Sequence, residues 1–83
     1  MITSGQIKAA RALLGITVAE LAKVSGIGFT TMVRLEASDG VPSGTLRTLG
    51  SVKAAIEDLG IEFLGSPDKQ AGVRWKPGFP KKI

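Results

Sequence analysis

Residues 17–37, TVAELAKVSGIGFTTMVRLEA, decide the fold of this chain because they predict two short helices joined by a tight turn. Thr17 and Glu20 have the spacing of a capping box, in which each side chain accepts a hydrogen bond from the other residue's backbone N–H. Gly26 can adopt the positive φ that a turn of three to four residues requires, and the apolar Ile27 follows it. We therefore expect a helix, a turn and a second helix.

The second of these helices, expected over residues 28–37, has an inner and an outer face. Ile27, Met32 and Leu35 have the spacing of residues that point toward a core. The other face is expected to be exposed, and it carries a single charge. Its residues are Phe29, Thr30, Val33 and Arg34.

The sequence predicts a further helix before this stretch. Thr3 or Ser4 can cap a helix that runs to about Leu14, and Gly15 then stands where a left-handed C-cap is expected. In the helix after Thr17, the inner face is expected to consist of small and apolar residues that allow close helix contact. These are Ala19, Leu21 and Ala22.

A longer helix is predicted after a loop that contains Pro42. Ser43 or Thr45 can cap this helix, and Gly60 ends it. Gly50 interrupts it, and a change of helix there would give five helices rather than four. Its apolar stripe has spacings of three and four residues and consists of Leu46, Leu49, Val52, Ile56 and Leu59.

After Gly60 the apolar period changes from that of a helix to that of a strand. Residues 61–64 and 73–76 alternate apolar and polar side chains, and glycine and proline residues between them supply a turn. A lone hairpin is marginally stable in water, so this one must pack on the helices through Phe63 and Trp75, pair with a second copy, or do both. The residues expected at a dimer interface are Phe63, Val73 and Trp75.

The composition describes one small domain and excludes several classes of site. The 83 residues include no cysteine and no histidine, so disulfides and metal sites built on thiolate or imidazole are excluded. The remaining candidate nucleophiles and bases have no partner spacing, and we expect neither an enzyme nor a cofactor. No stretch approaches the roughly 20 apolar residues of a membrane span, and a signal-peptide profile is lacking, so we expect a soluble cytoplasmic protein.

The net charge of +4 is unevenly distributed. From Lys69 onward there are five positive charges and no negative one, which indicates either a polyanionic partner or a solubilising tail. We therefore divide the sequence into a helical domain over residues 1–60, a hairpin over residues 61–76 and a basic flexible tail over residues 77–83.

The run RALLGITVAELAKVSGIGFTTMVRLE, followed by a loop, a proline and TL, resembles the lambda-repressor-like (Xre/Cro-type) helix-turn-helix family. The likeness covers roughly residues 5–60, and the ending with GIEFL and GVRWK is similar to a subset of small bacterial regulators in that family. The resemblance implies a mostly α fold of four to five helices with the hairpin appended. It also implies a transcriptional regulator, in most cases a repressor, that binds an inverted-repeat DNA operator as a homodimer.

The resemblance also implies roles for individual residues. The helix that follows Gly28 would lie in the major groove, and its base-contacting residues would be Phe29, Thr30, Val33 and Arg34. Contacts to the DNA backbone would come from Thr17, Val18, Gly28, Thr31, Ser43 and Thr45. Arg11 and Glu36 match a pair that forms a buried ion bridge between the first and third helices, which is a structural role.

The predicted reading face departs from the family pattern and is poor in hydrogen-bonding groups. Val18 stands where the family often has glutamine, and Gly28 replaces a common serine or threonine cap. Phe29 and Val33 can contact thymine methyl groups, and Thr30 can hydrogen-bond to several bases. We therefore expect a site that contains A·T pairs and is read partly through DNA shape.

An interaction module is the rival interpretation. Phe29 and Val33 could form an exposed apolar patch for a partner protein, as in an antitoxin or adaptor whose tail folds on its partner. No ligand-binding domain is appended to the helical domain, so we expect no small-molecule effector in either case.

Overall fold

The computed structural model describes residues 1–80, which form four helices and a two-stranded antiparallel sheet. In chain order the elements are α1 Ser4–Leu14, α2 Val18–Ser25, α3 Phe29–Ala37, α4 Leu46–Asp58, β1 Ile61–Ser66 and β2 Lys69–Trp75. The predicted helices and the predicted C-terminal hairpin are thus present. Because α4 continues unbroken through Gly50, the described residues contain four helices rather than five. None of these helices is long and apolar enough to cross a bilayer.

Capping boxes begin both α1 and α2. At α1 the cap is Thr3 rather than Ser4, and Thr3 and Gln6 exchange hydrogen bonds between side chain and backbone. At α2 the predicted box between Thr17 and Glu20 is confirmed. Each box satisfies two N–H groups that a helix start would otherwise leave without partners.

Both helices also end as their glycines predict. Gly15 follows α1 with φ of 68°, and Gly26 follows α2 with φ of 69°. A side chain with a Cβ atom is strained in this left-handed region, whereas glycine adopts it freely. The N–H of each glycine donates to carbonyls of the preceding turn, so two sharp chain reversals connect α1, α2 and α3.

One apolar core joins the helices and the hairpin. The first residue of β1, Ile61, is fully buried in the same cluster as the helical side chains. This core consists of Ile2, Ile7, Ala10, Leu21, Ala22, Met32, Leu35, Leu49, Val52, Ile56 and Ile61. The hairpin therefore belongs to the same packed unit as the helices.

Three side chains that were expected to face this core are exposed instead. Ala19 lies about 100° around α2 from Val18, and it is Val18 that packs inward. Leu46 is 72% exposed. A spacing of three residues falls about 60° short of a full helical turn, so after two such spacings Leu46 lies about 120° around α4 from Val52. Leu59 lies past the last turn of α4, as its C-cap, and is also exposed.

The hairpin packs its apolar face on the helices. Ile61 is opposite Trp75 and Phe63 is opposite Val73, which places all four side chains on one face of the sheet. Phe63, Val73 and Trp75 are half-buried and pack against the core. Both strands are longer than predicted, since only two residues separate them.

Gln6 links the hairpin to α1. Its side-chain N–H group donates to the carbonyls of Leu64 and Gly72, at 3.0 and 2.9 Å, so one amide holds both strands. The neighbouring Gly65 has φ of 72°, and a Cβ atom there would collide with the carbonyl of Gln70. The position requires glycine, and the strand register shifts between Leu64 and Ser66, next to the point that Gln6 holds.

The segment after β2 turns back toward the end of α4. The backbone N–H of Lys76 donates to the carbonyl of Gly60 at 2.8 Å, and its ammonium group donates to the carbonyl of Glu57 at 2.6 Å. The ring of Phe79 lies against Gly60, where a Cβ atom would overlap it. The rest of the predicted tail, Lys81, Lys82 and Ile83, lies outside the described residues.

Candidate nucleic-acid interface

A short turn sets α3 against α2. After Gly26 the N–H of Ile27 donates to the carbonyl of Ala22 at 2.9 Å, and the half-buried side chain of Ile27 packs against the core. Gly28 is the N-cap of α3, and its carbonyl accepts the first helical hydrogen bond, from Met32 at 3.0 Å. The two helices pack against each other, so the position of α3 follows from that of α2.

The outer face of α3 presents all four predicted base-contacting residues to solvent. Phe29 is 56% exposed and Val33 is 43% exposed, and both Thr30 and Arg34 are exposed as well. At 100° per residue the four lie within an arc of about 140°. The structure therefore brings these side chains together on one open surface of a single helix.

Arg34 is the only charged residue on this face. Among residues 1–80 its guanidinium group has no salt-bridge or hydrogen-bond partner. Its five N–H donors are therefore available to a base edge or a phosphate.

The inner face of α3 is held by an ion pair and a buried hydrogen bond. The Arg11 guanidinium donates to both carboxylate oxygens of Glu36, over distances of 3.1 to 3.2 Å. Glu36 is 7% exposed and Arg11 is 27% exposed, so the predicted buried bridge between α1 and α3 is confirmed. The hydroxyl of Ser4, which is also buried, donates to the carbonyl of Leu35 at 2.6 Å.

The start of α3 differs from the other helix starts. Gly28 supplies no side-chain cap, whereas threonines cap α1, α2 and α4. As in α1 and α4, no acidic residue lies in the first turn. Within residues 1–80, the N–H groups of Phe29, Thr30 and Thr31 have no hydrogen-bond partner. Free N–H groups at the positive end of the helix dipole favour an anion. The backbone contacts predicted for Gly28 and the half-buried Thr31 stay predictions.

The start of α2 is less open to a phosphate than the sequence suggested. The N–H of Thr17 donates to the Glu20 carboxylate at 2.8 Å, and its hydroxyl accepts from the N–H of Glu20 at 3.1 Å. The carboxylate therefore accepts one N–H group at this helix start and places a negative charge there. Val18 packs its side chain against the core, so only its backbone N–H remains for the predicted contact.

At the start of α4, Thr45 and Ser43 have different positions. Thr45 is the N-cap, and its hydroxyl accepts from the N–H of Thr48 at 3.1 Å. Ser43 is exposed in the preceding loop and does not begin the helix. Arg47, in the first turn of α4, is also exposed and is not among the expected contacts.

The three apolar residues expected at a dimer interface lie on the hairpin and not on α3. Phe63, Val73 and Trp75 contact the core of their own chain. The opposite face of the hairpin carries the exposed ion pair between Arg74 and Glu62, at 3.0 Å. A role of the three residues in dimerisation stays a prediction.

Comparison with protein-family models finds none that matches this chain. Comparison with curated proteins finds no match either. The function proposed below is therefore based on the exposed face of α3, on the open start of that helix, and on the resemblance in the α2–α3 sequence.

Proposed function

We propose that this chain is a cytoplasmic, sequence-specific DNA-binding regulator of the lambda-repressor-like helix-turn-helix class, with α3 in the major groove and α2 across the phosphate backbone. One observation carries the proposal. The outer face of α3 is exposed along its length, while its inner face is held by the core and by the ion pair between Arg11 and Glu36. The major groove of B-DNA admits one such helix.

The side chains of the outer face suit particular groups in the groove. Phe29 and Val33 offer apolar contact to the methyl group of thymine, and the hydroxyl of Thr30 can donate to or accept from several base edges. Arg34 can bind guanine O6 and N7 or a phosphate. The combination favours operators that contain A·T pairs and one or two guanines.

Backbone groups at the start of α3 supply contacts that carry no sequence information. The free N–H groups of Phe29, Thr30 and Thr31 suit a phosphate beside the groove. The exposed Arg47 can add a second phosphate contact, and the net charge of +4 favours association with DNA.

Two copies related by a two-fold axis would place their α3 helices about 34 Å apart, on an inverted repeat. Bound at a promoter, such a dimer would act as a repressor.

Selection of bound sites from random duplex DNA is the experiment that tests this proposal. The full chain is incubated with the random library, and retained duplexes are amplified and sequenced over several rounds. We expect an inverted repeat whose half-sites contain A·T pairs, with affinity that falls as the salt concentration rises. Failure to enrich any sequence, together with salt-independent retention, would overturn the proposal.

Arg34→Ala should weaken binding to the selected duplex by at least about tenfold, because it removes the guanidinium contact to guanine or phosphate. The fold should not change, since this guanidinium has no partner within residues 1–80. Lys8→Ala is the matched control, since it removes one positive charge from an exposed position on α1. The control should change affinity by less than about threefold. Equal effects of the two substitutions in a fluorescence-anisotropy titration would show that only net charge matters.

A second candidate function is favoured by the apolar part of the same face. Phe29 and Val33 are large, exposed and adjacent on α3, as in a surface that binds a protein. The chain would then be an antitoxin or adaptor. Enrichment of no DNA sequence, combined with a stable complex with the product of a neighbouring gene that Phe29→Ser disrupts, would favour this function.

A further inference from the structure

The end of α3 is hydrogen-bonded differently from the ends of α1 and α2. Glycines in the left-handed conformation follow α1 and α2, and their N–H groups donate to carbonyls of the last turn. By contrast, α3 ends at Ser38, whose backbone is extended, with φ of −73° and ψ of 159°. The last carbonyls of a helix have no partner within the helix, so those of α3 need donors from side chains.

Two serine hydroxyls supply such donors. The hydroxyl of Ser38 donates to the carbonyl of Arg34 at 3.1 Å, within the same helix end. The hydroxyl of Ser4 donates to the carbonyl of Leu35 at 2.6 Å, across 31 residues of sequence. Within residues 1–80 no backbone N–H donates to the Leu35 carbonyl. The first turn of α1 therefore supplies the donor that the last turn of α3 lacks.

The contact between Ser4 and Leu35 is fully buried. Each of the two residues is 1% exposed. Water cannot replace a donor that is lost at such a place, so the carbonyl would stay without a partner. The backbone N–H of Ser4 also donates to the carbonyl of Gly40 at 2.9 Å, in the loop after α3. One residue of α1 thus holds both the end of α3 and the chain that leaves it.

The held end of α3 carries half of its outer face. Arg34 lies in the last turn of the helix, directly before Leu35, and Val33 precedes it. Phe29 and Thr30 lie in the first turn, away from this contact. If the last turn loses its buried hydrogen bond, the side chains of that turn lose their fixed direction. The contact therefore bears on the only charged residue of the outer face.

We propose that Ser4 is a positioning residue for DNA recognition, which acts by holding the last turn of α3 so that Val33 and Arg34 meet the base edges at fixed positions. This inference rests on the proposed function. Ser4 is buried and does not itself reach DNA. Groups that recognise a ligand must be held within about 0.5 Å of their productive positions. Phosphate contacts carry no sequence information, so loss of the Ser4 hydroxyl should reduce specific binding more than non-specific binding.

Titrations of a selected duplex and of a random duplex test this inference. Ser4→Ala removes the hydroxyl and keeps the backbone hydrogen bond to Gly40. This variant should bind the selected duplex about three- to tenfold more weakly than wild type, through weakened base contacts. Its binding to the random duplex should stay within about twofold of wild type. Equal loss on both duplexes, or no loss on the selected one, would overturn the inference.

Gln6→Ala is the matched control. Gln6 is also buried in the first turn of α1, but its side chain bonds to Thr3 and to the hairpin rather than to α3. The control should leave both affinities within about twofold of wild type. An equal loss of specific binding in the two variants would show that any damage to α1 has this effect, which would overturn the inference.

A double-mutant cycle separates positioning of Arg34 from a general loss of structure. If Ser4 acts through Arg34, Ser4→Ala should weaken specific binding by about twofold or less when Arg34 is already alanine. The same factor in both backgrounds would overturn the inference. Ser4→Cys keeps a weak donor, so its specific affinity should lie between those of wild type and Ser4→Ala. The same comparisons can be made with Ser4→Cys if Ser4→Ala does not fold.

Amide hydrogen exchange on the protein without DNA measures how firmly the end of α3 is held. Ser4→Ala should speed exchange by about fivefold or more in residues 35–38 and by less than about twofold in α2. Gln6→Ala should instead speed exchange in β1 and β2. Uniform acceleration in Ser4→Ala, or none at the end of α3, would overturn the inference and leave the proposed function standing. If no duplex is enriched, the proposed function fails, and the exchange rates still decide whether Ser4 holds α3.

Discussion

The inner face of α3 is buried and its polar side chains are hydrogen-bonded, whereas its outer face is exposed and largely without hydrogen-bond partners. Met32 and Leu35 face the core, and both carboxylate oxygens of Glu36 accept hydrogen bonds from Arg11. Phe29 and the rest of the outer face contact solvent. The difference shows how nine residues can separate two tasks, since one face determines where the helix lies and the other is available to a partner.

Breaking the inner face should produce the largest effect on stability. Glu36→Ala is expected to lower the free energy of unfolding by about 3 kcal/mol, because the mostly buried Arg11 charge then loses its carboxylate partner. We choose the lower end of the usual range because Arg11 is partly exposed to water. Urea denaturation followed by circular dichroism measures the change.

The hairpin supplies the control for this prediction. Glu62→Ala breaks an ion pair of similar length, with Arg74, but both side chains are exposed. The expected loss is less than about 1 kcal/mol. Equal losses for the two glutamates would mean that burial does not set the strength of the inner-face pair.

Breaking the outer face should affect binding and leave stability alone. The double substitution Phe29→Ala with Val33→Ala should weaken binding to the selected duplex by about tenfold, through lost contact with thymine methyl groups. Because both side chains are exposed, unfolding should change by less than about 0.5 kcal/mol. Val24→Ala, at an exposed valine on α2, is the control. Retained affinity with a clear loss of stability would reverse our assignment of the outer face.

The smallest effect is expected where the two faces meet, at the start of α3. Gly28 has φ of −63°, and a Cβ atom there would contact only the Thr31 hydroxyl, at 4.0 Å. Gly28→Ser should therefore cap the helix and stabilise the protein by a few tenths of a kcal/mol. Because the new hydroxyl would occupy an N–H group that a phosphate needs, DNA affinity should fall about twofold to threefold. Parallel thermal melts and titrations check both values, and unchanged affinity would exclude phosphate at this helix start.

The predictions from sequence were most accurate where the cause is local. The box between Thr17 and Glu20 and the left-handed Gly26 depend on residues within one turn of each other, so spacing alone specifies them. The outward direction of Phe29, Thr30, Val33 and Arg34 follows from helical period. The pair between Arg11 and Glu36 was predicted from the family resemblance, because 25 residues separate its members.

The predictions failed where contacts between distant elements decide. The spacing of Leu46 to Leu49 is helical and predicts a core position, but Leu46 lies about 120° around α4 from Val52, and spacing alone does not show where the buried face of the helix ends. The Gln6 contacts to the hairpin also escaped notice. Its place three residues after Thr3 was a visible signal for a capping box, yet nothing local indicates that its amide also reaches β1 and β2.

By itself the sequence determined where helices and the hairpin form, the glycines that end α1 and α2, and the face that α3 turns outward. These features depend on backbone preferences and on periodicity within a few residues. That α4 continues through Gly50, which gives four helices, came from the tertiary structure. The tertiary structure decided which capping groups remain free, since Glu20 closes the start of α2 while the start of α3 stays open. It also decided that the hairpin packs its apolar face on the core of its own chain and that Leu46 is exposed. Such outcomes depend on what packs against what, and no local pattern encodes them.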